Sequence, residues 1–310
     1  MPNRKEQPGA GLVEFGTVQQ SFELGGVCFG GQPGVRPTAL IGSIFYHGDK
    51  VTTDEHRGEF DADEARRLIH EQEELSERTG NPCMLDVVGA TPEAIERHLE
   101  FAHAATSMPL LLDGTTTDVR LAGLEYVAKA GVGDRVVYNS IQPGIHDDEL
   151  AAIHQAGVTS AMILTYDLQD FTAKGRIETV RKLLPRVKEA GVNKIFIDTC
   201  VVDLASMGQA LSAIHDVKEE FGVPAGGGFH NAVAVWRGLK NKFDEEARVP
   251  CLASAAAAAA AIGADFVLYG PLGDAKYVFP AVAMIDTAHS QIVLERGIRP
   301  AENHPRVRIG

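Results

Sequence analysis

Asp113 closes LLLD, Asn139 closes VVYN and Asp198 closes FID, each at the end of an apolar run. Carboxylates and a carboxamide gathered at one mouth suit a neutral, nitrogen-rich heterocycle. An Asp can accept two N–H donors from a 2-amino-pyrimidinone edge, and an Asn can donate and accept at the next edge. No cationic clamp accompanies them, so the set is not built for a phosphate. A second signal is GGGFHNA, residues 226–232, where Gly227 and Gly228 let backbone approach a ligand closely and His230 and Asn231 follow. Asp86 and Asp167, near the ends of similar runs, complete the candidates. Each has a plainer reading beside the functional one. A lone Asp at a strand end often caps the following helix, and Asn231 at the end of a tight turn suits the same task.

These residues share a position in a repeating pattern. Eight apolar runs end in polar or glycine-rich clusters, and they predict strands at about 38–46, 83–89, 110–113, 135–139, 160–166, 194–199, 224–228 and 265–269. Helical periodicity fills most of the gaps. The expected fold is a single (β/α)8 TIM barrel over residues 1–310, whose chemistry sits at the carboxyl ends of the strands. Residues 1–11 read as a loose tail. The alternating, glycine-bearing stretch 12–31 reads as an N-terminal β-hairpin, a lid over the amino-terminal mouth. A helix follows Phe60, with acids at its start and Gly80 at its end; another has Thr91 as N-cap and Pro92 in its first turn. Pro185 predicts a kink or split in the helix after 174. KNKFDEEARVP reads as a loop, SAAAAAAAIGA (254–264) as a tightly packed helix, and about 275–296 as a last long helix.

The formal charge is −13, from 29 basic and 42 acidic residues. That excess speaks against nucleic-acid binding, which needs clustered Lys and Arg. Cys28, Cys83, Cys200 and Cys251 are scattered without a C-x-x-C pair, so neither a disulfide framework nor a zinc ribbon is expected. The N-terminus lacks a secretory signal's apolar core, and the alanine run is too short to span a bilayer. No membrane span is expected, and the cytoplasm is the natural compartment.

GGQPGVRPTALIGSIFYHGDKV, MLDVVGATPEAIE, LLLDGTTTDVR, VVYNSIQP, IFIDTCVVD and GGGFHNA, in that order, resemble the pterin-dependent corrinoid methyltransferases. That family includes the H subunit of tetrahydromethanopterin S-methyltransferase and bacterial methylcobalamin:tetrahydrofolate methyltransferases. The resemblance covers nearly the whole chain. It implies a pterin-binding barrel, usually a homodimer, that holds no metal itself and receives cobalamin on a separate corrinoid protein. A methyl group then moves between cobalt and N5 of a tetrahydropterin, tetrahydrofolate first and tetrahydromethanopterin second. The family's pterin-binding Asp–Asn–Asp trio carries over onto Asp113, Asn139 and Asp198, and its contact to N5 onto Asn231. His230 can share that last role, because GGGFHNA departs from the GLSN pattern of more distant members.

Four rivals are weighed, of which dihydropteroate synthase shares the pterin trio but wants a Ser-Arg-Lys type anion site after strand seven that GGGFHNA lacks. A metal-dependent hydrolase could draw ligands from Asp86, Asp113, Asp198, His230 and His47. An aldolase wants a Schiff-base lysine at a strand's carboxyl end, but Lys194 stands at the wrong end and Lys276 lies beyond the last strand. A non-catalytic docking subunit is the rival that is not an enzyme.

Overall fold

The computed structural model describes residues 13–310; the tail at 1–11, and Leu12 of the expected hairpin, lie outside the described residues. The strands are β1 (Ser21–Leu24), β2 (Val27–Gly30), β3 (Ala39–Ile44), β4 (Thr52–Asp54), β5 (Glu59–Phe60), β6 (Cys83–Gly89), β7 (Leu110–Gly114), β8 (Val136–Ile141), β9 (Ser160–Leu164), β10 (Lys194–Asp198), β11 (Ala225–Gly227) and β12 (Phe266–Pro271). Eight of them, β3 and β6 to β12, pair in parallel and close into a barrel. The helices are α1 (Ala62–Thr79), α2 (Pro92–Ala105), α3 (Thr117–Ala130), α4 (Asp147–Gln155), α5 (Ala173–Glu189), α6 (Leu204–Phe221), α7 (His230–Ala234), α8 (Gly238–Phe243), α9 (Arg248–Ala261), α10 (Ala275–Glu295) and α11 (Pro305–Arg308). Among the described residues, no helix is long and apolar enough to cross a membrane.

Alternation along the strands divides the core in two. One set, including Leu40, Leu85, Leu112, Tyr138, Ile163 and Ile197, packs with the helices. The alternate set, including Ile41, Met84, Leu111, Val137, Met162, Phe196 and Phe266, fills the barrel interior. Leu24 and Phe29 of the hairpin join this inner set, and Phe22 and Phe29 meet Phe196 edge-on at 5.0 and 5.2 Å. The hairpin therefore plugs the amino-terminal end, where it was expected, but its strands cover only 21–30.

Several element boundaries differ from the sequence reading. Pro185 lies within a continuous α5, so the helix is not split. KNKFDEEARVP is not a plain loop: it holds most of α8, a 3-10 turn at 245–247 and the start of α9, which extends the alanine helix back to Arg248. The small sheet β4–β5, within the loop after β3, carries no alternating apolar run and was not foreseen.

One buried ion pair ties the plug to the barrel. Lys218 on α6 places Nζ 2.6 Å from both carboxylate oxygens of Asp265 and 3.2 Å from the Gly31 carbonyl. Asp265 also accepts the Ala225 N–H at 2.9 Å. Lys218→Met leaves a buried carboxylate without its cation, so it is expected to cost about 3–5 kcal/mol of stability in urea unfolding.

Candidate active site

The period-two rule places the polar residues. In β6, β7, β8 and β10 the next inward position after Met84, Leu111, Val137 and Phe196 is Asp86, Asp113, Asn139 and Asp198. In β3 the same step from Ile41 gives Ser43. Four of the sequence candidates thus form one polar layer above an apolar floor, at the carboxyl end of the barrel. Asp113 lies in register with Asn139, and Ser43 with Asp86. Asn139 does not end its strand, because β8 runs on to Ile141.

The hydrogen bonds in this layer are unevenly shared. Asp86 accepts Ser43 Oγ at 2.7 Å on one oxygen and Asn139 Nδ2 at 3.3 Å on the other. That leaves Asn139 Oδ1 as an acceptor. Asp198 accepts the Cys200 N–H at 2.7 Å. Asp113 accepts no hydrogen bond from a described residue. Burial, then the charge of Asp86, pushes its pKa well above the ordinary carboxylate value, and Arg120 opposes this. Burial likewise raises Asp86 and Asp198 to about 6. Three carboxylates sharing one desolvated mouth repel each other, and N–H donors from a ligand relieve that repulsion.

Two buried arginines brace the strand ends from outside the barrel. Arg120 of α3 donates to Tyr138 Oη at 2.7 Å, to the Gly114 carbonyl at 3.1 Å and to Glu149 at 3.0 Å, while Tyr138 Oη also bonds Glu149. It thereby holds the neighbours of Asp113 and Asn139. Arg176 of α5 does the same beyond β10. Neither arginine is found from sequence, because an Arg in an amphipathic helix reads as a solvated residue. Ser43 does have a signal: it occupies the position in ALIGSI that Asp86 occupies in CMLD.

The glycine run is packed closely by the protein's own atoms. A Cβ on Gly226 would stand 2.0 Å from the Phe266 carbonyl oxygen, and one on Gly227 would stand 3.0 Å from Asp198 Oδ1. Gly227 therefore lets β11 lie against the Asp198 carboxylate, while a Cβ on Gly228 would stand 3.2 Å from Asn231 Nδ2. Asn231 is not the cap of α7: Phe229 holds that position, without a side-chain bond. The Asn231 amide instead donates through Nδ2 to the Val201 carbonyl at 3.0 Å, and its Oδ1 accepts no hydrogen bond from a described residue. His230 packs over Gly270, with Nδ1 3.1 Å from the Leu268 carbonyl oxygen; burial lowers its pKa and keeps it neutral.

Other candidates fall outside the layer. Asp167 accepts the Gln169 N–H at 2.8 Å and stabilises a turn after β9. His47 is exposed and pairs with Glu55 at 2.8 Å, so it is not brought to the hydrolase ligand set. Among the described residues, no group of three or more His, Cys, Asp or Glu is placed to hold a metal ion. Beside the mouth, Ser43 also lines a 570 Å³ cleft at the ends of β3 and β12 that carries Lys50 and Lys276 together with Asp49, Glu64 and Asp274. Exposed apolar side chains stand on the loops and helix ends of the same face: Leu168, Val202, Leu204, Val235 and Phe243.

A family model described as tetrahydromethanopterin S-methyltransferase MtrH subunit matches residues 17–301. The chain is 37% identical over 305 residues to the H subunit of tetrahydromethanopterin S-methyltransferase from Methanothermobacter thermautotrophicus, covering 95% of this chain and 98% of that one. It is 35% identical over 306 residues to the H subunit of the putative methyltransferase mtx from Methanosarcina barkeri, with the same coverages. Among solved structures, Yersinia pestis DHPS with a pterine-sulfa conjugate aligns over 87% of this chain and 100% of its own, with a TM-score of 0.62 and 17% identity. At that identity the likeness concerns the fold alone.

Proposed function

The chain belongs to the tetrahydromethanopterin S-methyltransferase MtrH subunit family, and on that footing we propose that it moves a methyl group between a corrinoid carried by a partner protein and N5 of a tetrahydropterin. The observation that carries this reading is Asp113, a carboxylate without a hydrogen-bond donor among the described residues, set among Asp86, Asn139 and Asp198 above an apolar floor. Such a layer suits a flat ring whose edge is rich in N–H donors and whose body is apolar. Asp113, Asn139, Asp198 and Asp86 hold the ring, and the Gly227–Gly228 backbone lies beside it. Asn231 meets N5, with His230 at its side.

The corrinoid supplies the cobalt that carries the methyl group. This chain supplies alignment, which is where most of the catalytic benefit of an in-line transfer arises. Asn231 Oδ1, free as an acceptor, suits an N5 that bears a proton or partial positive charge. No side-chain nucleophile is required. The exposed apolar residues on the segments after β9, β10 and β11 suit the docking of the corrinoid protein. A docking subunit without catalysis leaves the unsatisfied Asp113 without a purpose. Tetrahydrofolate and tetrahydromethanopterin share the ring edge that Asp113 and its neighbours read. The cleft at Ser43 gives space to the pterin's tail, and Lys50 and Lys276 suit anionic groups there. The working form is a cytoplasmic homodimer.

Calorimetric titration with tetrahydrofolate and tetrahydromethanopterin tests the reading. Binding of one or both, competed by a tail-less tetrahydropterin, is expected; no binding of either contradicts it. Affinity is also expected to depend on pH. Burial raises Asp86 and Asp198 to about 6 and Asp113 well above the ordinary carboxylate value, and each must be ionised to receive N–H donors. Affinity is therefore expected to fall as pH drops through these raised values, by about tenfold per unit for one required carboxylate. Affinity that is flat between pH 5 and 8 contradicts the carboxylate assignment.

A further inference from the structure

Arg176 is fully buried and pairs with no carboxylate of the described residues at hydrogen-bond distance. Burying a guanidinium is costly unless its donors are satisfied. Here they go to backbone carbonyls: Nε to Thr199 at 2.6 Å, Nη2 to Cys200 at 3.0 Å, and Nη1 to Phe171, whose ring also lies 4.1 Å from the guanidinium carbon. The segment so gripped is unusual. Cys200 has φ +58, a left-handed conformation that a residue with a Cβ rarely takes. In that conformation its N–H reaches back to Asp198 Oδ1 at 2.7 Å, and the next carbonyl, Val201, receives Asn231 Nδ2 at 3.0 Å. Thr199 is fixed from the other side, with N and Oγ1 both 2.9 Å from the Gly226 carbonyl oxygen.

We propose that Arg176 is a positioning residue, which holds the Thr199–Val201 turn in its left-handed form and so sets both Asp198 and Asn231 for the substrate. It touches no ligand. Its planar fork satisfies carbonyls on two consecutive residues at once, which lysine cannot reproduce. The inference rests on the assignment of Asp198 and Asn231 to a pterin site. Its charge also acts on Asp198, whose pKa it lowers against the effect of burial.

The test compares wild type, Arg176→Lys and Arg176→Lys/Cys200→Gly by tetrahydropterin titration, methyl transfer from methylcobalamin and thermal melting. Glycine takes a positive φ without penalty, so it restores the turn where the arginine's grip is lost. Arg176→Lys is expected to lower turnover by about 100-fold, the scale of a small misplacement of reacting groups. The double variant is expected to recover most of that loss, whatever its melting point. Arg176→Gln serves for the same comparison if the lysine form is insoluble. Unchanged turnover in Arg176→Lys overturns the proposal while leaving the pterin assignment intact. So does a loss that Cys200→Gly does not relieve and that tracks a lowered melting point, because this marks a purely structural arginine. A wild-type protein that binds no tetrahydropterin overturns both.

Discussion

Asp113→Ala and Asp198→Ala are each expected to remove most tetrahydropterin binding while the barrel stays folded. Each leaves ring N–H donors facing no acceptor inside a desolvated mouth, at a cost of about 1–3 kcal/mol per unmade hydrogen bond. The two variants should differ in stability. Asp113 accepts no hydrogen bond from a described residue and is repelled by Asp86 and Asp198, so its removal is expected to leave the thermal midpoint unchanged or raised. Asp198 accepts the buried Cys200 N–H, so its loss frees that backbone donor and is expected to lower the midpoint. Titration beside a thermal melt reads both effects. Undiminished affinity in both variants removes the pair from the pterin site.

Asn231→Ala is expected to reduce turnover more than pterin affinity. A hydrogen bond at N5 changes most as that atom gains or loses its methyl group, and interactions strengthened only in the transition state act on turnover. The residue also braces Val201 through Nδ2, and that role has a different signature: pterin affinity and melting point fall together. Steady-state methyl transfer, pterin titration and melting of the same variant separate the two. His230→Ala is the companion, with a smaller effect expected, because its Nδ1 is already engaged by the Leu268 carbonyl. Near-normal turnover with a lowered melting point takes Asn231 out of the reaction.

What the sequence could show was governed by period. In CMLD, LLLD, VVYN and KIFID, the polar residue stands two places beyond an apolar one, so strand alternation alone sends both to the same face. That rule sufficed for the barrel and for four residues of the polar layer. It fails where geometry depends on backbone detail. GGGFHNA also allows Asn231 as a helix cap, yet the cap of α7 is Phe229, two residues earlier, and the Asn231 amide turns towards Val201. The left-handed turn at Cys200 has no signature either, since cysteine is not a residue that marks positive φ. Arg120 and Arg176 were invisible for a related reason: long charged residues on helices usually reach solvent, and only the packed structure shows these two turned inward to carbonyls. The boundaries around 238–250 were misjudged because charged, turn-rich sequence there still forms short helices packed by Leu239 and Leu252.

The central claim is methyl transfer between cobalt and a pterin nitrogen, and the direct measurement is the visible spectrum of methylcobalamin, held without oxygen, with the protein and each tetrahydropterin in turn. The account predicts loss of the methylcobalamin spectrum, appearance of cob(I)alamin and recovery of the N5-methylated pterin in equal amount, with little transfer in Asp113→Ala. A methylcobalamin spectrum that stays unchanged with both tetrahydrofolate and tetrahydromethanopterin, under conditions where the pterin is bound, contradicts it.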